Sequence, residues 1–242
     1  MRTRGAIPVT TLTTRHFATR AALDAALAQR LGAALAAPGS SAVMLSGGTT
    51  PLPAYRALAL ERPSHGAGLH VLFSDERYVP AESADSNYHR ARPLLDALAL
   101  PPAAIVRVHT ELALEEATLD YERQLAALLG SGVRVGLGLL GLGADGHTAS
   151  LFGAADLERA RGHLAVRVLR PDGLSAVSVT PEFLARLEEP LFVVAGHDKG
   201  AALAALTAQD PQLTAWRAVA GCARVELWME DAADPLTYAP GG

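Results

Sequence analysis

Apolar positions along the chain come in two alternating kinds of segment. Leu23, Leu27, Leu31 and Leu35 recur every four residues behind Thr19, a candidate cap, and the spacing predicts a helix over 20–36 that Pro38 and Gly39 end. Residues 42–45 form a short unbroken apolar run, the pattern of a buried strand, and lead into Ser46-Gly47-Gly48-Thr49-Thr50-Pro51. Pro51 suits a first helical turn, so helix resumes to Leu60. Residues 69–73 are the next strand and open into the long polar loop SDERYVPAESADSN, where Ser86 is placed to cap a helix through Leu98. The stretch 111–129 is acidic at its start and meets Gly130 at its end, the polarity expected of a helix. A strand over 134–142 follows, then the turn GADGHTASLF, whose second half is expected to begin a helix. Strands over 164–169 and 176–179, a short helix over 181–187, a strand over 191–195, a helix within GHDKGAALAAL and a closing strand over 225–229 complete the series.

The alternation predicts an α/β chain with a mainly parallel sheet flanked by helices, Rossmann-like, and no repeat or long linker divides the single domain expected over 1–242. Three of the strands end in polar, glycine-containing turns that start helices. Open α/β sheets bind their ligands at such carboxyl ends.

Half of the 242 residues are hydrophobic and 19% are charged, which excludes a disordered, collagen-like or coiled-coil chain. A net charge of −4 offers no basic surface to a nucleic-acid backbone. The lone Cys222 excludes an intramolecular disulfide and a CxxC metal site, and fits a reducing compartment. The longest apolar run, 135–144, is half the length a membrane helix needs and is rich in glycine. Residues 1–20 hold Arg2, Arg4, Arg15 and Arg20 and no acid, as a transit peptide does. Thr10 to Thr14 and His16 interrupt any apolar core of a secretory signal, and the expectation is the folded start of a cytoplasmic protein. Alanine and leucine fill a third of the chain, and 20 arginines accompany one lysine. Such drift, the mark of a GC-rich genome, makes any single arginine weak evidence and Lys199 strong evidence.

Four turns carry candidate chemistry. In Ser46–Pro51, Gly47 and Gly48 let the backbone approach an anion, and Thr49 with the free amides at the helix start can cradle a phosphate; the plain alternative is an ordinary strand-to-helix turn. Asp75-Glu76-Arg77 sets two carboxylates and a guanidinium at a strand end, either to bind something polar or as a solvated ion pair. Residues 141–146 match GxGxxG, but Asp145 would repel a pyrophosphate and no acid stands about 20 residues on, so a dinucleotide is not expected. His147 beside Asp145 is a competent general base, or else a capping histidine; the dipole of the helix expected to start there would disfavour the imidazolium. Lys199 in Gly196-His197-Asp198-Lys199 is placed to neutralise a phosphate, or is a chance survivor. The remaining histidines show no HxxH or HExxH spacing, so no metal is expected.

The motifs SGGTTPLPAYRAL, FSDERYVPAESADSNYHRARPLL, GLGADGHTASLFG and LFVVAGHDKGAAL, in this order and spacing, closely resemble the 6-phosphogluconolactonase family over 45–206. The resemblance implies a fold related to the glucosamine-6-phosphate deaminase and ribose-5-phosphate isomerase group. It also implies hydrolysis of 6-phospho-D-glucono-1,5-lactone in the pentose phosphate pathway, with no cofactor. The implied partner is a small phosphorylated sugar lactone, with neither nucleic acid nor membrane. Gly47, Gly48 and Thr49 match the family's phosphate loop. Asp75, Glu76 and Arg77 match its DER motif and Asn87 the asparagine after it. Asp145 and His147 match its DGH, whose histidine is the general base, and Lys199 its G-x-x-K lysine. Where the family often has a substrate-side arginine this chain has Ala176, and Arg170 is a candidate to take its place. In the related glucosamine-6-phosphate deaminases a glutamate follows the DGH histidine by five residues; here that position is Phe152. A non-catalytic sugar-phosphate sensor would normally carry a helix-turn-helix domain, for which there is no room, and would not need His147.

Overall fold

The computed structural model describes residues 10–233. Along the chain the elements are β1 (Thr11–Phe17), α1 (Arg20–Leu35), β2 (Ser40–Leu45), α2 (Leu52–Glu61), β3 (Gly68–Phe73), β4 (Asp75–Arg77) and α3 (Asn87–Leu98). Then come β5 (Ile105–Val106), α4 (Leu114–Gly130), β6 (Arg134–Leu140), α5 (Ala154–Arg159), β7 (Ala165–Leu169), β8 (Ser175–Val179) and α6 (Pro181–Leu184). The series closes with β9 (Leu187–Val194), α7 (Gly200–Thr207), α8 (Thr214–Val219) and β10 (Arg224–Glu230).

Seven of these strands form one sheet in the order β1-β10-β9-β6-β2-β3-β5, with every adjacent pair parallel. Helices cover both faces, which is why its inner strands read as unbroken apolar runs. Along β2 successive side chains part to opposite sides. Ala42 and Met44 pack with residues of α4, α6, α7 and α8, whereas Val43 and Leu45 pack with α1, α2 and α3. The chain runs outward from β2 through β3 to β5 in one direction and from β6 through β9 to β10 in the other. The point of reversal between β2 and β6 is where an open parallel sheet leaves a crevice at its carboxyl ends.

Local chemistry accounts for the elements that matched expectation. The Thr19 hydroxyl accepts from the Ala22 amide at 3.2 Å and Ser86 from the His89 amide at 3.1 Å, so both act as caps. Leu23, Leu27, Leu31 and Leu35 are all fully buried.

Several expectations need correction. No helix starts within 148–152: residues 148–151 close a tight turn with an isolated bridge between Thr148 and Leu151, and Ala149 sits at φ +49°. The helix begins at Ala154, after the Asp156 carboxylate takes the amides of Phe152 and Gly153 at 2.9 and 3.1 Å. No helix therefore starts at His147 to act on its imidazole through a dipole. Strands β7 and β8 do not join the main sheet; with β4 they make a small antiparallel sheet in the order β4-β8-β7. Helix α4 starts at Leu114, not Glu111, because the Tyr78 hydroxyl holds the Leu112 carbonyl at 2.7 Å and Glu111 pairs with Arg107. The helix expected over 181–187 stops at Leu184, since Leu187 already opens β9. Strand β10 does not close the sheet: β1 lies outside it, and only Phe17 of β1 is buried, so the strand carries no apolar alternation to read. Residues 1–9, with Arg2 and Arg4, lie outside the described residues. Among the described residues, no helix is long and apolar enough to cross a membrane.

Candidate active site

Strands β9, β6, β2 and β3 are successive in the sheet, so their carboxyl-end turns are neighbours although they are far apart in the chain. Together they surround a cavity of about 290 Å³ lined by Gly47, Gly48, Thr49, Asp75, Arg77, Asn87, His147 and Lys199. Eight of the ten residues singled out from the sequence thus meet in one place. Asp145 and Glu76 are not in this lining.

Two buried tyrosines fix the strand ends. The Tyr55 hydroxyl, from α2, donates to the Ser46 carbonyl at 3.0 Å and accepts from the Ser46 amide at 3.1 Å, setting the start of the glycine turn. The Tyr121 hydroxyl, from α4, donates to the Phe73 carbonyl at the end of β3. Burial pushes both phenols up, so they remain protonated donors. In the turn itself, Gly47 is required by space: an added Cβ would lie 1.8–2.2 Å from the carboxamide atoms of Asn87. That carboxamide donates through Nδ2 to the Asp75 carbonyl at 2.8 Å, while its buried Oδ1 has no hydrogen-bond partner.

Asp75 lies at the join between the two sheets. Its Oδ1 accepts from the Ser74 hydroxyl and its Oδ2 from the Ser150 hydroxyl, each at 2.7 Å. Ser150 in turn donates its amide to the Ser178 hydroxyl at 3.2 Å. Glu76 is almost wholly buried and spends both oxygens on the backbone. Oε1 accepts from the amides of Arg77 and Asn87 at 2.9 and 2.7 Å, and Oε2 from the Tyr88 amide and Ser86 hydroxyl at 2.8 and 3.1 Å. Burial pushes its carboxyl up, against the lowering effect of those donors. Glu76, expected from the sequence to contact substrate, thus ties the start of α3 to β4 and is not among the residues lining the cavity.

His147 is set by a different turn. Gly146 adopts φ +82°, and the Gly143 amide donates to the His147 carbonyl at 2.9 Å. A Cβ on Gly143 would come within 2.4 Å of both the imidazole and the Asp145 carboxylate, so only glycine admits the pair there. Nδ1 of His147 lies 2.5 Å from Oδ1 of Asp145. Burial raises the Asp145 carboxyl, but the hydrogen bond and charge of His147 outweigh it and hold the group below the usual carboxylate range. An ionised Asp145 accepts from Nδ1–H, which leaves Nε2 as the nitrogen that exchanges a proton with a ligand. The Phe152 ring packs on the imidazole with centroids 4.4 Å apart. The Lys199 ammonium, in a single turn of 3₁₀ helix ahead of α7, pairs with Asp198 at 3.0 Å.

Arg90 and Arg170 also line the cavity. Arg170 was a candidate from the sequence and Arg90 was missed. One arginine among 20 carries no signal, and only the fold turns that side chain of α3 inward. Among the described residues, no cluster of three or more histidine, cysteine or acidic side chains could hold a metal ion.

Residues 15–228 match the model of the family described as glucosamine-6-phosphate isomerases/6-phosphogluconolactonase. The chain is 37% identical over 191 residues to the 6-phosphogluconolactonase of Synechocystis, covering 76% of this chain and 79% of that one. It is 35% identical over 196 residues to that of Homo sapiens, covering 76% and 75%. The solved 6-phosphogluconolactonase of Thermotoga maritima superposes with a TM-score of 0.75 at 28% identity, over 91% of this chain and 99% of that one. A monomeric glucosamine-6-phosphate deaminase shares the fold at 16% identity, with a TM-score of 0.76 over 91% and 98%.

Proposed function

The chain belongs to the glucosamine-6-phosphate isomerase/6-phosphogluconolactonase family, and from that premise we propose how it works as a lactonase of the pentose phosphate pathway. It hydrolyses 6-phospho-D-glucono-1,5-lactone to 6-phospho-D-gluconate, as a carboxylic ester hydrolase acting on one small phosphorylated sugar lactone. A single α/β domain at work in the cytoplasm fits the reading.

The lactone is an activated ester, so positioning, a general base and some charge stabilisation suffice. His147, oriented by Asp145, takes a proton from water through Nε2 as that water attacks C1. Arg77, which donates to the Asp85 carbonyl at 2.8 Å and still faces the cavity, stabilises the oxygen that gains charge. The C1–O5 bond then breaks, and the imidazolium returns its proton to O5. The new carboxylic acid ionises and releases a proton to solvent. The phosphoryl group rests on the amides of Gly47, Gly48 and Thr49 and on Lys199. Asn87 Oδ1, buried and unpartnered, accepts from a sugar hydroxyl.

The observation that carries the reading is the meeting of a carboxylate-backed imidazole and a phosphate cradle across one cavity, with Phe152 and not an acid against the imidazole. The deciding experiment follows acid release from freshly made 6-phosphogluconolactone above its spontaneous background, with glucosamine 6-phosphate in parallel. Acid release without ammonia is expected. Steady ammonia release from pure protein would overturn the lactonase in favour of the deaminase.

A further inference from the structure

Three of the four lysine and arginine side chains that line the cavity share an arrangement. Each of the three is paired with an exposed aspartate that is not itself part of the lining: Lys199 with Asp198 at 3.0 Å, Arg90 with Asp85 at 3.6 Å and Arg170 with Asp172 at 2.9 Å, whereas Arg77 donates to the Asp85 carbonyl. The third pair is the most completely built. Arg170 Nε lies 3.2 and 3.1 Å from the two Asp172 oxygens and Nη2 lies 2.9 Å from one of them, a two-pronged grip. Asp172 is itself fixed, because its Oδ1 accepts from the Leu174 amide at 3.1 Å within the β7–β8 turn, where Gly173 takes φ +83°. The guanidinium also lies over the Phe152 ring, 5.4 Å from its centroid. It is only 15% exposed, while Asp172 is 48% exposed. Held from the solvent side by Asp172 and from below by Phe152, the guanidinium keeps Nη1 outside the grip and has little freedom to swing. The Asp172 carboxyl lies below its usual range, chiefly through the Arg170 hydrogen bonds, and the charge of Arg77 adds to the effect.

We propose that Arg170 is an anion-binding, specificity-determining residue of this site, contacting the phosphoryl group from the β7–β8 hairpin, and that Asp172 is the positioning residue that presents it. The proposal rests on the lactonase reading and names a further holder of the substrate's phosphate. A guanidinium already fixed in place loses little rotamer freedom on binding, which is what makes a held cation a better anion receptor than a loose one.

The test measures KM and kcat on the phosphorylated lactone and, independently of turnover, the calorimetric affinity for 6-phosphogluconate. Arg170→Met keeps the apolar stem over Phe152 and removes the charge. It should weaken 6-phosphogluconate binding and raise KM together by ~10- to 100-fold, the usual worth of a hydrogen bond to a charged group, with kcat changed far less. Asp172→Asn should weaken binding by ~3- to 10-fold with Arg170 present and have no further effect in the Arg170→Met background. Arg170→Lys, charged but without the two-pronged grip, should fall between wild type and Arg170→Met, and it decides the matter if Arg170→Met does not fold. Wild-type affinity in Arg170→Met would overturn the proposal, as would additive effects of the two substitutions. A fall in kcat with KM and affinity intact would also overturn it, by showing that Arg170 acts through Phe152 on His147. A wild-type protein that binds 6-phosphogluconate but hydrolyses no lactone would sink the lactonase reading while leaving Arg170 decided by calorimetry.

Discussion

Gly47→Ala adds one methyl group where the structure has no room for it. The new Cβ would stand 1.8 Å from Cγ of Asn87 and 2.0 and 2.2 Å from its Oδ1 and Nδ2, far inside van der Waals contact. The backbone of the turn is anchored by Tyr55 at Ser46, so Asn87 is the side that must yield. Moving it breaks the 2.8 Å bond from Nδ2 to the Asp75 carbonyl in a buried setting. Losing that bond costs about 1–3 kcal/mol and overpacking adds a similar amount, so a net cost of ~2–6 kcal/mol is expected. At about 2–4 °C per kcal/mol for a chain of this size, the melting temperature should fall by roughly 4–24 °C. The diagnostic is a double-mutant cycle measured by thermal melting. In an Asn87→Ala background the obstructing carboxamide is gone, and Gly47→Ala should cost less than about 1 kcal/mol. Equal costs in the two backgrounds would refute the reasoning, because the penalty would then lie in the backbone and not in Asn87.

His147→Ala should slow lactone hydrolysis by ~10²–10⁴-fold with little change in melting temperature; retention of a third of wild-type activity would remove His147 as the base. Asp145 has a folded-state pKa depressed below its unfolded value, so its ionised form stabilises the fold above the unfolded pKa, and this is lost as pH falls through the folded one. Melting curves from about pH 6 down to about pH 3 should therefore fall more steeply for wild type than for Asp145→Asn, and parallel curves would contradict the depressed pKa. Lys199→Arg should raise KM for the phosphorylated lactone although it conserves charge, since a planar fork does not fit where a compact ammonium does, and Lys199→Ala should raise it further. Wild-type KM in Lys199→Arg would make the lysine an accident of composition.

Much of the parallel sheet was legible because its strands are apolar on both faces and its helices carry clean fourfold leucine spacing, as in α1. Strand β1 was not legible: six of its seven residues avoid full burial, and it is held by backbone pairing with β10 that leaves no mark on side-chain pattern. The separate pairing of β7 and β8 was hidden for the opposite reason, since two short apolar runs look alike in either sheet. Within the site, the glycine turn, DGH and Lys199 were legible because glycine, a paired histidine and a rare lysine are chemically distinctive. The surroundings of Glu76 were not legible, because the sequence shows that a carboxylate is present and not that four donors already surround it.

The hydroxyls around Asp75 have a consequence for how this protein tolerates change. Ser74, Ser150 and Ser178 form a buried polar chain with that carboxyl between the two sheets, and the structure places none of the three in the cavity lining. An alanine at Ser74 or Ser150 would leave an oxygen of Asp75 without its partner and free that side chain, itself part of the lining, to reorient in the cavity. A mutational scan scored by activity would therefore mark these serines as functional positions. Their importance is that they fix the orientation of a carboxyl that lines the cavity.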